Sequence, residues 1–135
     1  MSSTYAYWIS TALLSLLYLT SASLYVIRAG WVRNALADLG YPAYLRPALI
    51  AVKILGPVAI LARFNVALSD LAYAGILYHL VLAGVAHLGV RKPKEAIPAA
   101  VGLVLLAASF LTQNVARDVP SPYAPVATEH RAILN

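Results

Sequence analysis

Cysteine is missing from this sequence altogether. Disulfide bonds, thiol redox chemistry, iron–sulfur ligation and cysteine-ligated zinc are therefore excluded within the chain. Charged residues are also scarce, at 11% of 135 residues, which is under half of the roughly 25% usual for soluble domains. A chain of this length that is so poor in charge leaves no room for a soluble catalytic domain beside membrane spans.

Apolar residues make up 61% of the chain and fall in four blocks separated by short polar breaks. This pattern is typical of a multi-pass membrane protein that lies in the lipid bilayer of the cell membrane. The formal net charge of +5 favours contact between the loops and anionic lipid headgroups. Because the basic residues do not cluster with interleaved aromatic side chains, nucleic acid is not an expected partner.

The four blocks predict an all-α fold, an integral membrane four-helix bundle in residues 1–114, with a short interfacial helix between the first and second spans. The third span is long enough, at about 1.5 Å per helical residue, to cross a hydrocarbon core of roughly 30 Å. Residues 115–135 contain several prolines and predict an extended, mobile tail. The predicted spans are residues 7–27, 45–62, 68–90 and 97–114.

The first block also resembles a secretory signal peptide, because Ser21, Ala22 and Ser23 form a small-residue run. Nothing basic precedes this run except the amino terminus, and the apolar stretch continues to Ile27, so we expect a retained span. Polar and small residues that recur at helical spacing are expected to face other helices: Thr11, Ser15, Tyr18, Ala22 and Tyr25. The leucines that lie largely on other faces are expected to face lipid: Leu13, Leu14, Leu17 and Leu24.

The segment after the first span predicts a short amphipathic helix in the membrane interface, ended by Gly40. Its apolar side chains share one face and its polar side chains the other: Trp31, Ala35, Leu36 and Leu39 against Arg33, Asn34 and Asp38.

Lys53 lies near the middle of the second span, where a cation facing lipid is costly. Pro57 has no N–H, so it leaves the carbonyl of Lys53 without its helical partner. The alternative is that Lys53 snorkels to the interface, but its stem would have to cover roughly 10 Å or more. We therefore expect Lys53 to point into the bundle.

The third span carries His79 near its middle and His87 close to its end. Small residues around His79 favour close helix contact there, on one side of the span that comprises Ala72, Gly75, Ile76, His79, Ala83 and Ala86. The small and polar face of the fourth span is expected to comprise Ala99, Gly102, Leu106, Ser109 and Gln113. The eight positions between the two histidines correspond to about 12 Å along a helix, which is too far for a shared mononuclear metal site. No metal site is expected. The alternative to ligand binding, for each histidine, is a packing contact inside the bundle.

Lys53 and His79 are expected to lie at similar depth, which predicts a neutral His79 and a Lys53 held by neutral oxygens. Those oxygens would come from Tyr18 and Ser109 on facing helices, or from a ligand carbonyl. An acceptor nitrogen of the His79 imidazole would also serve. The alternative is a packing contact without a ligand. The candidate ligand-binding residues are thus Lys53, His79, Tyr18, Ser109 and His87.

The chain resembles the DoxX-like family of small four-span membrane proteins. The resemblance is carried by Tyr7-Trp8-Ile9, by Leu39-Gly40-Tyr41-Pro42-Ala43-Tyr44, by Lys53-Ile54-Leu55-Gly56, and by Leu71-Ala72-Tyr73-Ala74-Gly75 with His87-Leu88. It implies a four-helix bundle and a link to quinone-coupled oxidation, because relatives include membrane subunits of thiosulfate:quinone oxidoreductase. Family members typically have an acidic residue where this chain has His79.

Three functions follow as hypotheses. The first is a redox-associated membrane subunit that binds a quinone near Lys53, His79 and the first-span tyrosines. Because the chain has no motif for a bound cofactor of its own, a redox partner would supply the electrons. The second is a non-catalytic interaction or assembly protein, in which a partner or a homo-oligomer covers the small-residue faces. The third is a small transporter, which the lack of an acidic residue in the first two spans disfavours.

Basic residues predict the orientation, with the first and third loops in the cytoplasm and both termini outside. Single cysteines at Ser2, Lys92 and Ser121 of this cysteine-free chain test it. An impermeant maleimide should label the first and last in intact cells and spare Lys92; the opposite pattern would reverse the orientation. Six basic residues flank those two loops and three lie on the other side: Arg28, Arg33, Arg46, Arg91, Lys92 and Lys94 against Arg63, Arg117 and Arg131.

Overall fold

The computed structural model describes residues 2–127, with the backbone alone for Ser2. It confirms an all-α fold with four long apolar helices and a short helix between the first and second of them. Short 3-10 turns at Pro93–Ala96 and Gln113–Ala116 flank the last helix. The helices are α1 (Ser2–Ile27), α2 (Ala29–Asp38), α3 (Leu45–Ala62), α4 (Val66–Gly89) and α5 (Ile97–Thr112).

The four long helices form a bundle in which α1 and α4 each pack against both α3 and α5. The helices α1 and α4 therefore lie on one diagonal of the bundle. Large apolar side chains remain exposed along all four helices, and each helix is long and apolar enough to cross a membrane. These exposed surfaces contact lipid, so the chain is a multi-pass membrane protein.

The inward seams of α1 and α5 follow the sequence pattern closely. On α1 the predicted polar face is buried from Thr11 to Ala22, and Leu14, expected to face lipid, is buried as well. Leu14 lies three residues after Thr11 and four before Tyr18, and this spacing keeps it on the inward seam. On α5 every residue of the small and polar face is buried: Ala99, Gly102, Leu106, Ser109 and Gln113.

The seam of α4 differs from the one that its small residues suggest. Of the predicted face, Ile76 is buried but Gly75 is exposed, and Tyr73 and Leu80, which were not assigned to that face, are buried as well. The large side chains fill the bundle centre, and the small residues lie at the edges of the helix–helix contact.

Gly102 marks the closest approach of α5 to its neighbours. A β-carbon built there would lie 2.8 Å from Leu80 Cδ2 and 3.3 Å from Leu17 Cδ2. Glycine at this position therefore lets side chains from α1 and α4 meet against the backbone of α5.

The helix α2 packs against α1 and α3, and it buries Val32 and Leu36. The expected apolar face is partly buried: Leu36 is buried, whereas 61% of Trp31 is exposed. The helix ends in a Schellman motif: Tyr41 N donates to the carbonyl of Leu36, and Gly40 N donates to that of Ala37. Gly40 has a φ of +83°, which glycine adopts without strain.

The proline-containing tail folds back over the end of the bundle as far as Ala127, and its remaining residues, 128–135, lie outside the described part. Asn114 Nδ2 donates to the carbonyls of Ser121, Ala124 and Pro125, and Ser121 Oγ donates to Asp70. Only 3% of Ser121 is exposed, against 77% of Tyr123. Tyr123 is therefore the better position for the cysteine label on the tail.

The contact at Gly102 predicts a position-specific cost for a larger side chain. Gly102→Val should lower the free energy of unfolding by about 1–3 kcal/mol, because Leu80 and Leu17 must move. Gly75→Val is the matched control, since nothing lies within 4 Å of a β-carbon built at that position. Thermal unfolding in mild detergent measures both, and an equal loss in the two variants would contradict this description of the contact.

Candidate functional site

A cavity of about 690 Å³ lies in the half of the bundle that ends at the first and third loops. Side chains of α1, α2 and α4 form most of its walls, and α2 lies across it with Val32 and Leu36 turned inward. Polar groups are concentrated at its deep end, near the middle of the long helices, and at its mouth, beside the loops.

Lys53 of α3 reaches the deep end of this cavity, with 6% of its surface exposed. Its Nζ lies 4.8 Å from the ring centre of Tyr25 and 5.4 Å from that of Tyr18. Two aromatic faces at these distances stabilise an ammonium group. Within residues 2–127 no carboxylate lies within ion-pair distance of Lys53, so aromatic rings take the place of a counter-ion.

Tyr18 also joins the two diagonal helices. Its hydroxyl lies 2.7 Å from Nδ1 of His79, and the two rings meet edge to face. One tyrosine thus contacts Lys53 through its ring and His79 through its hydroxyl.

The Tyr18 hydroxyl indicates which nitrogen of His79 carries the proton. Tyr18 is only 2% exposed, and His79 is its one hydrogen-bond partner in the described part of the chain. If Nδ1 carried the proton, the buried O–H of Tyr18 would have no acceptor, which is unfavourable. Tyr18 therefore donates to Nδ1, and Nε2 of a neutral His79 carries the proton.

Charged side chains line the mouth of the cavity. Lys92 Nζ lies 3.8 Å from Asp38 Oδ2, which connects the third loop to α2. His87 Nδ1 lies 3.4 Å from Glu95 Oε2. Both carboxylates are therefore engaged near the loops, away from Lys53.

Four of the five residues proposed from the sequence line this one cavity: Lys53, His79, Tyr18 and His87. Ser109 does not, and its expected contact with Lys53 is not made. Ser109 instead lies 2.6 Å from Thr11 Oγ1 and 2.6 Å from the Tyr73 hydroxyl, in the packed half of the bundle. The face of α5 was predicted correctly, but the depth of Ser109 along it was not.

Tyr25 is not among the five candidate residues named from the sequence, although the first hypothesis included the first-span tyrosines as a group. The available signal was its spacing, because Tyr25 follows Tyr18 by two helical turns on the same face. A side chain on that face is able to cover the other side of a cation that contacts Tyr18.

Residues 2–127 contain no group of three metal-ligating side chains. His79 binds Tyr18 and His87 lies beside Glu95 at the mouth, so the two histidines have separate environments.

Comparison with known proteins gives one family match. The profile described as the DoxX-like family matches residues 9–109, which include every residue that lines the cavity. No curated protein and no solved structure matches the chain.

The hydrogen bond from Tyr18 predicts the tautomer of His79. Nitrogen NMR of histidine-labelled protein at neutral pH should show an unprotonated Nδ1 and a protonated Nε2 for this residue. The signals of His79 are assigned as those that disappear in the His79→Gln variant. Tyr18→Phe removes the donor, so we expect the two tautomers to mix in that variant. Tyr78→Phe, an exposed tyrosine on the same helix as His79, is the control. A proton on Nδ1 in the unmodified protein would contradict the assignment.

Proposed function

The chain belongs to the DoxX-like family, and from that premise we propose that it binds a lipid-soluble ligand of the quinone class in the bundle cavity, as the membrane part of a redox system. The observation that carries this proposal is a buried cation, Lys53, that faces a largely apolar cavity without a carboxylate beside it in residues 2–127.

The size and composition of the cavity support a small amphiphilic ligand. Its volume of about 690 Å³ lies within the usual range of roughly 300–1,000 Å³ for ligand pockets. Leucine side chains line its middle, while Lys53 and His79 supply polar contacts at its deep end. A ring with an apolar substituent fits this distribution of groups.

The chemistry of the deep end supports a carbonyl head group. Lys53 offers ammonium N–H groups, and the tautomer of His79 offers Nε2–H, so both residues present hydrogen-bond donors. A quinone has carbonyl oxygens that accept such bonds and a flat ring that packs against aromatic side chains. The bound quinone would accept electrons; Lys53 and His79 would hold and orient it.

The electrons would come from a partner protein, because the cavity described here offers one ligand site and no second redox centre. We also propose that the first and third loops, and with them the mouth of the cavity, face the cytoplasm. The excess of basic residues in these loops supports this orientation.

The two tryptophans provide a direct test of ligand binding. Trp31 lines the cavity. Trp8 lies outside the cavity, and the Arg63 guanidinium stacks over the Trp8 ring at 5.0 Å from the ring centre. In a Trp8→Phe protein, a decyl-substituted benzoquinone should quench the fluorescence of Trp31 saturably. A Trp31→Phe protein, which keeps Trp8, should show only the gradual quenching caused by quinone dissolved in the detergent.

Lys53→Met in the Trp8→Phe protein should weaken the quinone affinity by about 10- to 100-fold, the usual value of a charge-assisted hydrogen bond. Methionine keeps the bulk and removes a buried charge, so the variant should fold. Lys94→Met is the matched control, because Lys94 is exposed and lies outside the cavity. An unchanged quinone affinity in Lys53→Met would argue against the proposal. Mass spectra of the purified protein that show a stoichiometric partner protein and no ligand would also argue against it.

A further inference from the structure

We infer that the cavity opens sideways between α1 and α5, and that its ligand carries a long apolar chain that leaves the bundle through this gap into the lipid. This inference rests on the proposed function and adds a second subsite to it, one for the chain of the ligand. It also specifies where the ligand is exchanged, namely in the leaflet on the side of the first and third loops.

The exposed residues of the cavity wall lie on one side of the bundle. The wall residues that α3 and α4 contribute are all buried or half-buried, among them Lys53, Leu80 and Ala83. The exposed wall residues belong to α1, to α2, to the third loop and to the start of α5. The cavity is therefore closed toward lipid along α3 and α4 and open along α1 and α5.

The exposed wall residues form two groups. One group is polar and surrounds the mouth beside the loops: Asn34, Asp38, Lys92 and Glu95. The other group carries no charge and extends the opening into the membrane-spanning part of the bundle: Thr20, Leu24, Trp31 and Pro98. A residue that lines the cavity and is also exposed marks its edge, so the edge runs along the last turns of α1 and the first turn of α5.

The gap between α1 and α5 ends at the contact around Gly102. A β-carbon built on Gly102 would lie 3.3 Å from Leu17 Cδ2, so the two helices meet there. Pro98 precedes Gly102 by about one helical turn, and Thr20 and Leu24 follow Leu17 by about one and two turns. The helices thus separate from this contact toward the loops, and the cavity occupies the space between them.

An apolar chain attached to a head group at Lys53 has two ways out of the cavity. Through the mouth it would pass charged side chains and enter water, where each exposed methylene group is unfavourable. Through the gap it passes Thr20, Leu24 and Pro98 and remains in an apolar environment. Trp31, which is 61% exposed, lies at the edge of the gap, as is typical of tryptophan at the border between lipid and water. The gap therefore lies on the lipid side of that border and suits the chain.

Photolabelling of the unmodified protein locates the chain. The probe is a benzoquinone whose alkyl chain carries a diazirine near the ring, and mass spectrometry identifies the labelled residues. We expect the label on Thr20, Leu24 and Pro98, and excess decyl-substituted benzoquinone should displace it. A displaceable label confined to Asn34, Asp38 and Lys92 would place the chain in the polar mouth, and one on α3 or α4 would place it on the opposite side; either result would overturn the inference.

A second test narrows the gap and compares ligands with and without a chain. Thr20→Phe combined with Leu24→Phe, made in the Trp8→Phe protein, adds bulk at the edge and leaves Lys53 and His79 in place. The affinity for the decyl-substituted benzoquinone, measured by quenching of Trp31, should fall about tenfold because the chain meets the added rings. The benzoquinone with the same ring and no chain should keep its affinity within about twofold.

Leu13→Phe combined with Leu16→Phe is the matched control for the narrowed gap. Both leucines are exposed on α1 and lie outside the cavity, so this pair adds similar bulk on the same helix. The control should keep the affinities for both quinones. An equal loss of the decyl-substituted quinone in the control would show that added bulk on α1, and not the gap, causes the effect.

The outcomes separate the two proposals. If neither quinone quenches Trp31 saturably and no displaceable photolabel forms, the proposed function fails and the inference fails with it. If the narrowed gap weakens both quinones equally, or weakens neither, the head group binds but the chain does not use the gap, and only the inference is wrong. If the narrowed variant does not fold, the position of the photolabel in the unmodified protein decides alone.

Discussion

The arrangement of the bundle depends on the burial of one ammonium group. Lys53 lies halfway along a helix whose other surfaces face lipid, and a cation in lipid is costly. The rings of Tyr18 and Tyr25 lie beside its Nζ. Both tyrosines come from α1, so the same contact that stabilises the charge also brings α1 and α3 together.

Much of this arrangement follows from the spacing of residues in the sequence. Four apolar blocks predict four long helices, and the small and polar face of α5 is buried at every predicted position. The inward position of Lys53 follows because a lysine that faces lipid in the middle of a span has a high energetic cost. These predictions succeed because helical periodicity and the exclusion of charge from lipid act locally, on one helix at a time.

The errors arise where several helices must fit together. The contact face of α4 is predicted only approximately, because Tyr73 and Leu80 fill the centre beside Ile76 while Gly75 lies at the surface. Ser109 lies on the predicted face of α5, but it forms hydrogen bonds with Thr11 and Tyr73 and not with Lys53. The residues that Ser109 meets depend on how the neighbouring helices are shifted along their axes relative to α5. The tail folds back because one side chain, Asn114, satisfies several of its backbone carbonyls, and no periodic pattern encodes such a contact.

The diagonal hydrogen bond between Tyr18 and His79 divides the interior of the bundle into two compartments. On one side lies the cavity, and on the other lie tightly packed side chains that include Tyr73, Ile76 and Ser109. The cavity is therefore a blind vestibule that opens toward one membrane surface. A solute that entered it would meet a floor of packed residues, and passage through the bundle would require α1 and α4 to separate and break this bond. Such a solute would therefore leave at the membrane surface from which it came.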